Sequence, residues 1–489
     1  MQKFKQRIIR ILLVLPALYL LLLIPDSDKH NLIKAVEKPF AWNQDSVWNA
    51  LEIQFKEAKD KSNPALDSGL QSLFTKENSL YTHVKENKIG AADSSLQQLL
   101  TNYFHLAALV AAQPKQRDSF IQIYNQFRNA VKLHSQQWNM NDKEVRNSIY
   151  QILYGMRAAT EEVLLQTDSI LFTPVMRVKD EPSATPSTTI FGIKVHSGDL
   201  LVSRGGAEVS AMISRGNNYP GNFSHVALIY VEEKTNQPWL VEAHIEKGVA
   251  VSSAEQYIKD KKLRFMVLRP RADLAQLQKD PMLPHKAAKL AYEDALSRHI
   301  PYDFKMNFYD STALFCSEVG SYAYKKMGIQ LWQAVSTISS QGVVSWLSDF
   351  GVENFVTQMP SDLEYDPQLS VVAEWRDPET LMKDHIDNAV MDALLEQADK
   401  GKRISYAHWQ LPFVRIIKLW CILKNKFGGV GIIPEGMSAT QALKNQTFVA
   451  IYNHVRTETN ILSDQFIKAN QYKPPYWQLV TMARSAAQQ

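Results

Sequence analysis

Three side chains in this 489-residue sequence have the types that thiol chemistry needs. Cys316 stands in "ALFCSEVGSYAYKKMG", just ahead of an amphipathic stretch that reads as a helix closed by Gly328. A cysteine there meets the free N–H groups and the dipole of a helix start, which favour the thiolate and hence predict a lowered thiol pKa. The same backbone would supply a donor for a developing oxyanion. His225 opens the strand-like "SHVALIYV", and an imidazole held on a strand has the fixed direction a general base requires. The next strand-like run, "PWLVEAHIEKGV", carries Glu242, His244 and Glu246, which strict alternation puts on one face. If Tyr230 pairs with Trp239, His225 faces His244 across the hairpin with Glu242 diagonal to it. Either Glu242 or His244 could then orient the imidazole and fix its tautomer.

These residues sit inside a sheet-forming region. "IKVHSGDLLVSRG", "SHVALIYVEE", "PWLVEAHIEKGVAVSS", "LRFMVLRPRA" and "QLSVVAEW" are short β-branched runs broken by turn residues. "HKAAKLAYEDALS" and the Cys316 stretch are helical. Before them, residues 29–178 carry apolar residues at three- and four-residue spacing and read as helical throughout, with "SNPALDSG" a loop and "NMNDKEVRN" an Asp-led helix start. The stretch 179–189, "KDEPSATPSTT", reads as a linker. Residues 379–489 return to helical spacing, interrupted by "KFGGVGIIPEG". That glycine run lacks the strand and spacing of a nucleotide site.

The N-terminus is of another kind. Lys3, Lys5, Arg7 and Arg10 precede an apolar run from Ile11 to Ile24, the pattern of an export signal without a small-residue cleavage site. Residues 1–28 are therefore expected to be a signal or membrane anchor, spanning through residues 8–25 with its basic end cytoplasmic and the rest of the chain outside, or released if the signal is cleaved. The charge balance, 54 basic against 50 acidic residues, excludes a nucleic-acid partner, and no cofactor or metal is expected. Cys421, in "VRIIKLWCILKNKF", reads as a buried thiol in an apolar helix and is not expected to pair with Cys316.

Taken together, "GDLLVSRG", "SHVALIYV", "LVEAHIEKGV", "PYDF" before "LFCSEVGSYAY", and "YDPQLSVVAEWRDP" resemble the permuted papain-fold amidases of the YaeF/YiiX type. These are relatives of the NlpC-type cell-wall peptidases and, more distantly, of lecithin:retinol acyltransferase. The resemblance covers residues 190–378. It implies an α+β fold: a permuted papain-like core with an antiparallel sheet, flanked by N- and C-terminal helical regions. It further implies Cys316 as nucleophile, His225 as base, Glu242 as orienting residue with His244 as the alternative, and Tyr302 lining the substrate pocket. The expected activity is a cell-envelope cysteine hydrolase of amide bonds. It would act on peptidoglycan stem peptides or on lipid-linked amides or esters, through an acyl-thioester.

Two other function classes compete. One is an inactive envelope scaffold that binds a protein partner through its helical flanks. The other is a metal-dependent hydrolase using His225, Glu242, His244 and Glu246, which leaves Cys316 without a role. Asp384, His385 and Asp387 are expected on a solvated helix face. The stretch 411–427 is expected to be a core helix with exposed basic residues rather than one lying on a membrane.

Overall fold

The computed structural model describes residues 15–26, 38–59, 64–168, 171–334, 336–427 and 429–488. The first helix, α1, is described over 15–22. Five helices follow: α2 (Asp45–Lys59), α3 (Pro64–Glu86), α4 (Ser94–Ala112), α5 (Arg117–His134) and α6 (Lys143–Gln166). Asp93 and Asp142 cap α4 and α6 by accepting the N–H groups of Ser95 and Glu144, each satisfying a donor the helix cannot. The expected loop "SNPALDSG" is largely the first turn of α3, with Pro64 at its start, where a missing N–H costs nothing. Their apolar stripes meet in one core, in which Leu99, Tyr103, Phe120 and Ile152 are fully buried.

The region is not helical to its end. β1 (Val175–Arg177) pairs antiparallel with β11 (Leu369–Arg376) and forms one edge of a seven-stranded sheet of order β1-β11-β8-β4-β5-β6-β7. The remaining strands of that sheet are β4 (Leu200–Gly205), β5 (His225–Val231), β6 (Pro238–His244), β7 (Gly248–Ser253) and β8 (Lys262–Pro270). The hairpin of β2 (Ser187–Ile190) and β3 (Ile193–His196) covers the face carrying Leu201, Ala227 and Ile229. Short helices α7 (Glu208–Arg215) and α8 (Ala254–Lys259) connect strands, and α9 (Ala275–Lys279) follows β8. α10 (Leu283–Ser297) and α11 (Glu318–Lys326) pack on the opposite face, against Leu200, Val202, Val226 and Leu228. α12 (Gln341–Asp349), the strand pair β9 (Ser336–Thr337) and β10 (Val356–Thr357), and α13 (Asp362–Tyr365) lead into β11. The expected linker is packed: Glu181 is buried and accepts from Lys179, the Ala272 N–H and Ser370.

The C-terminal helices are α14 (Leu381–Asp399), α15 (Leu411–Lys426), α16 (Ala439–Asn470) and α17 (Tyr476–Ala486). α14 corrects the expectation of a solvated face, because Asp384, His385 and Asp387 are all buried. The reason lies in distant partners. Arg264 on β8 reaches Asp384 and Glu161 of α6, each at 2.5 Å, and His385 Nε2 lies 3.1 Å from Glu161. Arg204 and Arg376 complete the cluster. Burial alone would raise the Glu161 carboxyl, but Arg264, the hydrogen bond with His385 and Arg376 outweigh it and hold the group well below its usual range. The three parts of the chain are thus joined through one buried charge network.

α15 is the second correction. It buries Leu411, Pro412 and Cys421, the expected buried thiol, and leaves most of its other apolar residues open. The membrane span expected over residues 8–25 begins in residues 1–14, which lie outside the described residues. Among the described residues no helix is long and apolar enough to cross a membrane.

Candidate active site

β5 and β6 form the expected hairpin. Tyr230 pairs with Trp239, and Ala227 with Glu242. This register carries His225 and His244 to the same end of the sheet, their ring centroids 5.9 Å apart. Between them lies Glu242, 2% exposed, with Oε2 at 2.7 Å from His225 Nε2 and Oε1 at 3.2 Å from His244 Nε2. Burial alone would raise the Glu242 carboxyl, but the two imidazoles outweigh it and hold the group far below the usual carboxylate range. A buried carboxylate that takes up His225 Nε2 fixes the imidazole and leaves Nδ1 as the nitrogen available to a reacting group. Glu246 does not join them. The strand ends at His244, and Glu246 is exposed in the following turn. Among the described residues no group of three or more His, Cys, Asp or Glu side chains is placed to hold a metal ion.

Cys316 precedes α11 by two residues, with Ser317 at the N-cap, and Gly328 ends the turn after the helix in the left-handed region. Its thiol is 4% exposed and lies 3.6 Å from the carbonyl of Ser224. The backbone N–H groups of Ser317, Val226 and Cys316 also bear on the sulfur. The Cys316 thiol therefore rests against the backbone on both sides of His225. No Cys316–His225 hydrogen bond forms among the described residues. α11 packs on the face that carries Val226 and Leu228, and the Cys316 thiol meets β5 at the strand end that carries His225.

This arrangement corrects the expected lowered thiol pKa. Burial pushes Cys316 up to about 12, and the three backbone N–H groups offset only part of it. Tyr302 forms a bridge to Leu314, two residues before Cys316, and its hydroxyl is raised by burial and by the nearby Cys316. Tyr302 packs edge-on against Phe304 at 5.0 Å.

Two residues at the site escaped the sequence. Glu318, 3% exposed, accepts the Phe315 N–H at 3.0 Å, and burial pushes its carboxyl up to about 9, so it stays protonated at neutral pH. Its place in "FCSE" was visible, but not its burial. Gln358 accepts from Ser317 Oγ through its backbone carbonyl (2.6 Å) and from Ser321 through its side chain (2.5 Å). Its buried Nε2 has no hydrogen-bond partner among the described residues. Nothing in the sequence tied it to a helix 40 residues earlier.

Residues 194–373 match the model of one family, described as permuted papain-like amidase enzymes, YaeF/YiiX, C92 family. No curated protein and no solved structure matched the chain.

Proposed function

Residues 194–373 being a thiol-dependent amidase domain of the permuted papain-like type, we propose that Cys316, His225 and Glu242 are its working groups and that its substrates lie in the cell envelope. The observation that carries the assignment is the buried Glu242 carboxylate bound to His225, at the strand end against which the Cys316 thiol rests.

The thiol is neutral at rest, so attack and deprotonation occur together. The Cys316 sulfur adds to the substrate carbonyl carbon while its proton passes to His225 Nδ1, and Glu242 stabilises the imidazolium. Backbone N–H groups at the start of α11 receive the oxyanion. Collapse breaks the C–N bond, the amine leaves with the proton from His225, and an acyl-thioester remains. Water, activated by the same imidazole, then releases the acid and restores the thiol. Tyr302 borders the acyl-binding side. Glu242, which is hydrogen-bonded to His225 at 2.7 Å while His244 lies against Glu242, is the orienting residue in preference to His244.

The envelope assignment rests on the basic and apolar N-terminal stretch, read as an anchor with the domain facing the periplasm. Peptidoglycan stem peptides and lipid-linked amides or esters are the two substrate classes this location offers. The test is trapping. An activated acyl ester should give a covalent adduct of one acyl mass on Cys316, found by peptide mapping and absent in Cys316→Ser. Acylation at another residue, or none with full turnover retained in Cys316→Ser, would remove the mechanism.

A further inference from the structure

The chain's exposed apolar surface is concentrated in one place. Among the described residues 25 large apolar side chains are exposed, and 16 of them lie in 15–24 and 409–432. The two stretches form one surface. The Tyr19 ring packs edge-on against Phe413, and its hydroxyl donates to the Trp409 carbonyl at 3.1 Å. Arg415 donates to the Leu22 and Ile24 carbonyls and pairs with Asp26 at 2.7 Å. On α15, Phe413, Ile416, Leu419, Trp420 and Leu423 are each at least half exposed. A surface helix that is apolar around most of its circumference, with a second exposed apolar segment packed beside it, marks an interaction surface rather than scattered exposed residues.

Charge says which partner. From Lys400 to Pro434 there is no acidic residue, while Lys400, Lys402, Arg403, Arg415, Lys418, Lys424 and Lys426 fall in that stretch. A second copy would set these cations against themselves. An anionic lipid headgroup layer complements them, and Trp420, with Lys424 Nζ 5.2 Å above its ring, is the residue type that settles at such an interface. The α1 side of the patch also continues, in sequence, the apolar run that starts at Ile11.

The patch connects to the active site. Lys418 Nζ donates to the Pro434 and Glu435 carbonyls at 2.7 and 2.8 Å. Glu435 lies 3.2 Å from His299. Gly436 lies flat on the Phe304 ring, where an added Cβ would sit 2.3 Å from a ring carbon. Phe304 in turn packs on Tyr302 beside the nucleophile.

We propose that the surface made by α1 and α15 lies in the interface of an anionic phospholipid bilayer, and that the Cys316 site acts on an amide or ester of a lipid resident in that bilayer. The proposal rests on the hydrolase reading above and chooses between its two substrate classes. The full chain would be reconstituted in phosphatidylglycerol-containing vesicles carrying brominated phosphatidylcholine, which quenches tryptophans at the acyl boundary. Residues 1–28 contain no tryptophan, so insertion of the anchor alone is silent. Most of the quenching should disappear in a Trp409→Phe, Trp420→Phe double variant. Unchanged quenching in that variant, or dimers in solution broken by Ile416→Glu, Leu419→Glu, would overturn the docking. A fluorogenic N-acyl lipid in vesicles and a short water-soluble ester then separate the readings. The Ile416→Glu, Leu419→Glu chain should lose at least tenfold on the vesicle substrate and nothing on the soluble one. Equal rates on both substrates in wild type and variant would refute the lipid substrate. Turnover of the soluble ester surviving in Cys316→Ser would instead refute the hydrolase reading.

Discussion

In the proposed mechanism the state of the Cys316 thiol decides how the reaction starts, and it can be measured in the free protein. Burial pushes the group up to about 12. Against an ordinary thiol at ~8.5, the thiolate fraction at pH 7 then falls on the order of a thousandfold. Alkylation by iodoacetamide, followed by intact mass, should be slower than that of a model thiol by a comparable factor. Its rate should rise about tenfold per pH unit through pH 10, the slope expected when the thiolate is a vanishing minority. His225→Ala should leave this profile unchanged, since the imidazole does not hydrogen-bond the sulfur at rest. The same substitution should reduce turnover by about 10²-fold or more, because the base is then missing when the proton must move. A plateau in the alkylation rate below pH 8.5 that His225→Ala abolishes would refute this reasoning and show a preformed thiolate–imidazolium pair.

Cys316→Ser should abolish turnover while the melting temperature stays within a few degrees of wild type, measured by calorimetry beside a steady-state assay. Glu242→Gln should lower kcat about a hundredfold or more, whereas His244→Gln should cost under about tenfold; the reverse order would make His244 the orienting residue. Glu161→Gln removes one carboxylate from beneath Arg264, Arg376 and His385 and should cost about 3–5 kcal/mol in denaturant unfolding, since a buried cation loses its partner. The Glu318 carboxyl, raised to about 9 when folded, resists ionisation that the unfolded chain undergoes near ~4.3, so its contribution falls as pH rises from there to 9. Glu318→Gln should flatten that decline and raise the melting temperature at pH 8.5 relative to wild type, and an unchanged alkaline slope would contradict the burial argument.

What the sequence showed was local. Strand alternation and a two-stranded register were enough to bring His225, Glu242 and His244 together, and a glycine stop was enough to frame the helix after Cys316. Burial was the part that periodicity could not provide. Asp384 and His385 look like a solvated face until Arg264 and Glu161 arrive from 120 and 224 residues away. Glu181 looks like part of a linker until Ser370 and the Ala272 N–H bind it. Helix capping predicted a lowered thiol pKa, and enclosure of the sulfur against β5 reversed the sign. α15 misled in the opposite sense, because apolar spacing reads as core whether the apolar partner is protein or lipid.

The pairing of β1 with β11 has a consequence for how this enzyme can be inherited. The segment that matches the amidase family ends at residue 373, yet the strand that covers the edge of β11 precedes that segment, and Arg264 inside it is neutralised by Glu161 before it and Asp384 after it. A gene fragment coding for 194–373 alone would expose a sheet edge and strand a buried cation, two defects that favour aggregation over folding. The catalytic segment is thus not a portable module here. Recombination that moves it must carry the flanks along, and substitutions in α6 or α14 must be compensated in the sheet, so the three parts diverge together as one heritable unit.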